Sequence, residues 1–268
     1  MEVGNAKHVG VIGFGVMTSA MIKRWLATGF VHRSMLTLST RSRKSSAATA
    51  LNLTCSTNES VVDESEIIIL GIKPHQLAEV TRSLSFRSDQ VVLTVLAGTP
   101  LESVCDAVSP ARVVRCMPNL AVELGKGIVA EMGVNNLPRE QSSWVAQAFG
   151  DLGTVVSLND ESQFDGITAL AGSAPAFCFV LAQALADAGV LQGLTRAQSE
   201  TLAARVLEGA GALISHSKVP PETLKDRVAS PKGTTISGLR ALEARGFRSA
   251  IIEAVAASAA RSEQLSKG

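Results

Sequence analysis

The sequence predicts an α/β protein in two parts: a doubly wound parallel sheet over residues 1–160 and an all-α domain over residues 161–268. Three observations carry this. Short β-branched runs alternate with helical patterns as far as Asn159, the signature of βαβ units. The first run ends in a glycine turn, Gly13-Phe14-Gly15, that opens a helix. Beyond Asn159 strand signals stop and Ala-rich helical segments continue, which puts the expected boundary at Asn159–Gln163.

Taken in order, His8–Gly13 is the first strand and Thr18–Thr28 a helix burying Ala20, Met21, Ile22, Trp25 and Leu26. Met35–Ser39 is the second strand, followed by a Ser/Ala-rich helix over Ser45–Leu53. Ile67–Ile72 is an unbroken apolar run, as the centre of a parallel sheet requires. Gln90–Ala97 and Arg112–Met117 are further strands, with Ile128–Met132 and Thr154–Leu158 as weaker ones. Helical blocks follow at Phe164–Gln192, Arg196–Ser217, Glu222–Val228 and Thr235–Leu265.

Composition narrows the function. Of 268 residues, 46% are hydrophobic, enough to build a buried core. The net charge of +1 leaves no basic footprint for nucleic acid. There is no tyrosine, which excludes any scheme that uses a Tyr-x-x-x-Lys acid. Cys55, Cys105, Cys116 and Cys178 lack metal or redox spacing and are expected as buried thiols in a reducing cytoplasm. Met1–His8 carries no apolar signal core. Gly166–Ala186 is charge-free and long enough to span a bilayer, but Pro175 interrupts it, Asp165 and Asp187 flank it, and no nearby Lys or Arg marks an inside. It is expected not in a membrane but as a helix buried on all sides, most readily inside an oligomer.

The chemistry-bearing motifs lie at strand ends. Gly13-Phe14-Gly15-Val16-Met17-Thr18 sits between a strand and a helix, where Gly13 permits the turn and Gly15 admits a pyrophosphate. This is the opening of a Rossmann-type dinucleotide-binding domain, with Thr18 in place of the usual third Gly or Ala. Ser39-Thr40-Arg41-Ser42-Arg43 closes the second strand without the acidic residue that holds a ribose 2′-OH. Hydroxyls and guanidinium suit a 2′-phosphate, so NADPH is expected, with NADH as the alternative. Gly71-Ile72-Lys73-Pro74 and Ala97-Gly98 end the third and fourth strands on the same edge and are expected beside the cofactor. Lys73 reads as a positioning residue tied to a carbonyl, with a catalytic lysine as the less favoured alternative. Met117-Pro118-Asn119 ends the fifth strand, with Asn119 offering a donor and an acceptor near the nicotinamide. In Ser230-Pro231-Lys232-Gly233-Thr234-Thr235 a turn opens a long helix, and its threonines serve either as an N-cap or as a hold for a small carboxylate. The four histidines pair with no carboxylate or cysteine, so no metal site is expected.

From His8 to Leu265 the sequence resembles the Δ1-pyrroline-5-carboxylate reductase family. The resemblance rests on GFGVM at 13–17, STRS at 39–42, LGIKP at 70–74, RCMPN at 115–119, DGITALAGSAPAF at 165–177, LADAGV at 185–190 and LKDRVASPKGTTISGLRALE at 224–243. It implies reduction of pyrroline-5-carboxylate to L-proline, in proline biosynthesis, by NADPH or NADH. It places the substrate at Met117, Asn119, Ser230, Gly233, Thr234 and Thr235, with the Thr235 hydroxyl near the ring nitrogen as the catalytic contact. It also adds Asn58 as a cofactor contact. It implies a homodimer through the C-terminal helices, or an assembly of such dimers.

The chain departs from the family pattern at Lys232, where a small residue is usual, and at Lys218, Leu120, Ala121, Val16 and Phe177. These departures motivate two alternatives: a reductase of another cyclic imino acid such as pyrroline-2-carboxylate, and a non-catalytic NADP-binding protein. A hydroxyacid dehydrogenase is disfavoured, because no Lys occurs from Asp165 to Leu194.

Overall fold

The computed structural model describes residues 7–41 and 45–267. Ser42, Arg43 and most of the Met1–His8 stretch lie outside them. Eight strands form one sheet: β1 Val9–Ile12, β2 Leu36–Ser39, β3 Cys55–Ser56, β4 Ile67–Leu70, β5 Val91–Thr94, β6 Arg112–Pro118, β7 Gly127–Met132 and β8 Gly153–Ser157. Their order is β3-β2-β1-β4-β5-β6-β7-β8. Only the β6–β7 pair is antiparallel. The helices are α1 Val16–Thr28, α2 Ser46–Ala50, α3 Asn58–Glu64, α4 Leu77–Thr81, α5 Leu101–Ala107, α6 Arg139–Leu152, α7 Gln163–Ile167, α8 Ala174–Leu191, α9 Arg196–His216, α10 Pro221–Val228, α11 Thr234–Ala244 and α12 Phe247–Lys267.

Every residue of β1, β4 and β5 is buried, because helices cover both faces of the sheet. Period-two alternation sorts their side chains. Val9, Val11, Ile67, Ile69 and Leu93 pack with Met21, Ile22 and Trp25 of α1 and with Val145 and Phe149 of α6. Ile12, Ile68, Leu70 and Val92 pack on the other face with Val61 and Val62 of α3 and Val104 of α5. Fully burying each large side chain contributes about 2–3 kcal/mol. Trp25 also satisfies its indole N–H on the Ala148 carbonyl at 2.9 Å, so it is buried without an orphaned donor. The chain runs from β1 outward to β2 and β3, then returns to pair β4 on the other side of β1. That reversal opens a crevice beyond the carboxyl ends of β1 and β4.

The expected strands are all present. The short β3 and helices α3 to α6 are additional to the sequence reading. Two helical expectations are corrected. The block expected at Thr235–Leu265 is two helices, because Gly246 takes φ +68° and stops α11 in a left-handed residue. The block expected at Phe164–Gln192 contains a π-helical stretch at Thr168–Ser173, just before Pro175, which has no N–H to continue the ladder.

The chain folds as two compact units. One runs through Gly172 and includes Ala259 onward, and the other is Ser173–Ser258. The expected division at residues 160/161 differs from this by α7 and most of the π-helical stretch, and by the returning C-terminal segment. Within the first unit, the Ser262 hydroxyl donates to Asp165 at 2.6 Å. Within the second, α8 and α9 approach so closely that a Cβ on Gly189 would lie 2.6 Å from the Ser199 hydroxyl. Thr195 and Gln198 close a capping box at the start of α9. The segment Gln163–Leu191 is long and apolar enough to cross a membrane by length and composition. In the isolated chain the expectation of burial on all sides is not met: Phe179 is 67% exposed, and of α8 only Ala186 is buried.

Candidate active site

A cleft of about 820 Å³ opens at the crevice between β1 and β4. Gly13, Phe14, Gly15, Val16, Met17, Ser39, Thr40, Arg41, Asn58, Gly71, Ile72 and Lys73 all line it. Sequence positions 13 to 73 are thus brought to one place by the carboxyl ends of three neighbouring strands.

Two glycines in the turn have different reasons for being glycine. Gly13 takes φ +90°, and a Cβ there would lie 2.6 Å from the Gly71 carbonyl oxygen. Its N–H donates to the Ser39 carbonyl at 3.0 Å, and Gly71 N–H donates to the Ile12 carbonyl at 2.8 Å. The turn is therefore tied to both flanking strands. Gly15 has φ −90°, which any residue adopts, and a Cβ on it would meet nothing within 4 Å. Nothing inside the chain requires glycine there, so the space serves a ligand. Gly15 is also the N-cap of α1 and caps it with no side chain. The first-turn N–H groups remain as donors for an anion. A dinucleotide's pyrophosphate fits this cradle in shape and in charge.

The second wall starts from Ser39, whose hydroxyl donates to Oδ1 of Asn58 at 2.6 Å. Asn58 opens α3 behind the N-cap Thr57, whose hydroxyl accepts from Ser60 N–H at 3.2 Å. With Oδ1 held, the Asn58 NH₂ group is the donor left for a ligand. Thr40 and the exposed Arg41 stand on the same wall. On the third wall Lys73 is exposed, and the expected tie from its side chain to a carbonyl is not among the described hydrogen bonds. Its backbone N–H instead donates to Gln76 Oε1 at 3.0 Å. Thr57, Glu59, Gln76, Glu79 and Ser83 also line the cleft and were not expected from the sequence. The Thr57-Asn58-Glu59-Ser60 capping pattern and the proline–glutamine spacing at Pro74–Gln76 are the signals that point to the first and third of these.

Other expected contacts lie elsewhere. Pro74 and Gly98 line a separate groove with His75 and Thr99, and Ala97 is outside the cleft lining. Asn119 is buried with its side chain engaged by the backbone: Oδ1 accepts from Ile128 N–H at 3.1 Å, and Nδ2 donates to the Ala171 carbonyl at 3.0 Å. Ala171 stands four residues before Pro175, whose ring has no N–H to offer it. Asn119 supplies that donor and clamps the end of β6 to the π-helix. Met117 joins the same clamp, its sulfur accepting from the Thr168 hydroxyl at 2.9 Å. Arg115 pairs with Glu161 and covers the Phe164 ring at 4.1 Å, while Glu161 also accepts from Leu101 N–H at 2.7 Å.

Of the four cysteines only Cys116 is buried, against the expectation for all. Burial pushes its thiol far above the usual range, and its sulfur donates to the Thr94 carbonyl at 3.4 Å. It is no nucleophile. Among the described residues no group of three His, Cys, Asp or Glu can hold a metal ion.

Within the second unit, Ser230, Gly233, Thr234 and Thr235 form the entrance to α11. The Ser230 carbonyl accepts from Gly233 N–H at 3.1 Å across a turn with Pro231 and Lys232 at its centre. Lys232 has φ +60°, and Pro231 cannot take positive φ, so the turn is type II. The N-cap is Gly233, with Thr234 as the first helical residue, so neither threonine caps the helix as the capping alternative had it. A side chain at 233 would collide with Ser230, whose hydroxyl lies 2.3 Å from the Cβ position. Thr234 and Thr235 are thus the first two residues of a helix whose N-terminus no side chain caps.

A mostly parallel sheet with this strand order, carrying a phosphate-shaped glycine turn at its switch point, defines the first unit as a Rossmann-type dinucleotide-binding domain. The comparisons agree. Residues 8–98 match the family described as NADP oxidoreductase coenzyme F420-dependent, and residues 161–265 match pyrroline-5-carboxylate reductase dimerisation. The pyrroline-5-carboxylate reductase of Methanosarcina acetivorans is 36% identical over 267 residues, covering 97% of this chain and 98% of that relative. That of Arabidopsis thaliana is 33% identical over 265 residues, covering 97% and 95%. A crystal structure of Plasmodium falciparum pyrroline carboxylate reductase with NADP bound superposes with a TM-score of 0.85 at 26% identity, covering 97% of this chain and 98% of that one. The chain belongs to the pyrroline-5-carboxylate reductase family.

Two outcomes test the geometry. Gly15→Val should cost no more than about 1 kcal/mol of stability, because φ −90° suits valine although it is a poorer N-cap, yet weaken NADPH binding at least about 10-fold in a fluorescence titration. Asn119→Ala should lower unfolding stability in denaturant by about 2 kcal/mol, because it orphans the Ile128 N–H and the Ala171 carbonyl together.

Proposed function

We propose that this protein reduces 1-pyrroline-5-carboxylate to L-proline with NADPH. The observation that carries the reading is the near full-length identity to curated pyrroline-5-carboxylate reductases, joined to a cleft that leaves space and donors for a dinucleotide. The bound nicotinamide supplies the hydride that reduces the C=N carbon. The chain's own residues bind, orient and exclude water. Gly15 and the start of α1 hold the pyrophosphate, Asn58 donates to the adenosine side, and Thr40 and Arg41 face a 2′-phosphate. Arg41 favours NADPH over NADH because a guanidinium pairs a phosphate bidentately.

The second unit's share of the reading is the substrate carboxylate, held by the N–H groups at the start of α11 and by Thr234. The Thr235 hydroxyl lies at the ring nitrogen. Substrate that arrives as an iminium needs no protein acid, so orientation is the principal contribution. The alternatives raised by Lys232 and Leu120 are not favoured, since relatives spanning the whole chain are reductases of the 5-carboxylate.

The protein is a homo-oligomer in this reading. A homodimer built through the C-terminal helices is supported by the dimerisation match at 161–265 and by exposed Phe179, Val180, Leu191 and Leu213. Larger assemblies would be built from that dimer. The same match supports reading the apolar segment at Gln163–Leu191 as an interface rather than a membrane span, in keeping with a cytoplasmic location.

A spectrophotometric assay with pyrroline-5-carboxylate and each nicotinamide cofactor tests the proposal. NADPH oxidation is the expected result, and no turnover with this or other cyclic imines would overturn it. In that assay Thr235→Ala should lower kcat/KM about 10-fold or more, and an unchanged value removes Thr235 from the mechanism. Lys232→Gly should raise unfolding stability by about 1 kcal/mol by relieving the left-handed lysine, which a thermal melt would show.

A further inference from the structure

Thr18 occupies the position where a dinucleotide turn usually has its third glycine or an alanine, and it is 1% exposed. Its hydroxyl donates to the Gly13 carbonyl at 2.9 Å and reaches the Gly15 carbonyl at 3.3 Å. Its methyl fills the room left by Gly71, where a Cβ would lie 2.3 Å from Thr18 Cγ2. One side chain therefore lies against two carbonyls of the turn, its single proton directed chiefly to the nearer Gly13 oxygen, and braces the turn against the end of β4.

In a planar trans peptide the carbonyl and the following N–H point in opposite directions. Holding the Gly13 carbonyl turns the Phe14 N–H away from the buried hydroxyl. Holding the Gly15 carbonyl, which Ser19 N–H also takes at 2.9 Å, does the same for the Val16 N–H. Phe14 and Val16 both line the cleft. We propose that Thr18 is a positioning residue for the cofactor: its hydroxyl keeps carbonyl oxygens away from the pyrophosphate and presents N–H groups to it. An alanine or glycine at this position has no donor for that work. In this chain the threonine and Gly71 form a matched pair, the larger residue on α1 requiring none on the strand end.

The inference rests on the dinucleotide-binding reading, and binding measured apart from turnover separates the two. NADPH Kd is read by fluorescence titration on wild type, Thr18→Val and Thr18→Ser, with a thermal melt of each. Thr18→Val keeps the shape and loses the donor, so its Kd should rise about 5- to 10-fold. Thr18→Ser keeps the donor and should bind within about 2-fold of wild type. If the valine variant does not fold, Thr18→Ala, which opens space rather than filling it, gives the same comparison. Loss of melting temperature with an unchanged Kd would overturn the positioning role and leave Thr18 a packing residue. No NADPH binding by the wild-type protein would overturn the underlying reading and the inference with it.

Discussion

The structure turns on the close approach of two backbones at the ends of β1 and β4. The parallel register pairs Ile12 with Leu70, so the next residues along each strand, Gly13 and Gly71, meet without side chains. Gly71 N–H continues the ladder onto the Ile12 carbonyl, and the Gly71 carbonyl oxygen lies 2.6 Å from where a Cβ of Gly13 would be. Were either residue larger, the strands would part at the point where the chain must reverse direction across the sheet. Because they do not part, α1 starts directly above the crevice with its N–H groups exposed to it. The cleft and its charge preference both follow from that one approach.

Much of this was legible in the sequence because buried parallel strands leave a strong trace. Ile67–Leu70 and Val91–Thr94 are apolar almost without interruption, and glycine at 13, 15 and 71 punctuates the strand ends. What was not legible depends on partners distant in sequence. Asn119 looks like a ligand contact at a strand terminus. Its partners within the chain, Ile128 and Ala171, become neighbours only after the sheet and the π-helix form. Strand β3, two residues long, carries too little pattern to register. The break between α11 and α12 was marked by Arg245-Gly246, but glycine within an Ala-rich helical run is a weak stop until its φ is known. Helix α6 buries Trp144, Val145, Ala148, Phe149 and Leu152 at helical spacing, a trace the sequence did contain.

The second unit follows a different logic. Its helices meet through small residues, Gly189 against Ser199, which brings backbones close but buries little apolar area. The large residues, Phe179, Val180, Leu191, Leu202 and Leu213, point outward. A pair of helices with that distribution lacks the buried surface a free-standing domain needs. The low charge content of the chain is most marked in α8, where an exposed apolar surface would be a liability to a monomer and is an asset to a homo-oligomer.

The missing tyrosine fits the same economy. A reductase that must protonate its substrate needs an acid at the reacting atom, and this chain offers few. Cys116 is neutral, buried and committed to the Thr94 carbonyl. The imidazole of His8 is bonded to Thr37 at 2.8 Å, at the opposite end of β1 from the turn that forms the cleft. The groups that do converge on the cleft are backbone amides, hydroxyls and a rim of both charges, Arg41 and Lys73 with Glu59 and Glu79. Such a set holds reactants in register and does little to move protons. It suits a cofactor that brings the reacting hydride with it and leaves the protein the task of holding it in place. Under that division of labour, rate and affinity depend on angles and distances around the turns rather than on acidity. That is where the proposed role of Thr18 falls, in a hydroxyl of α1 that fixes the carbonyls of the preceding turn.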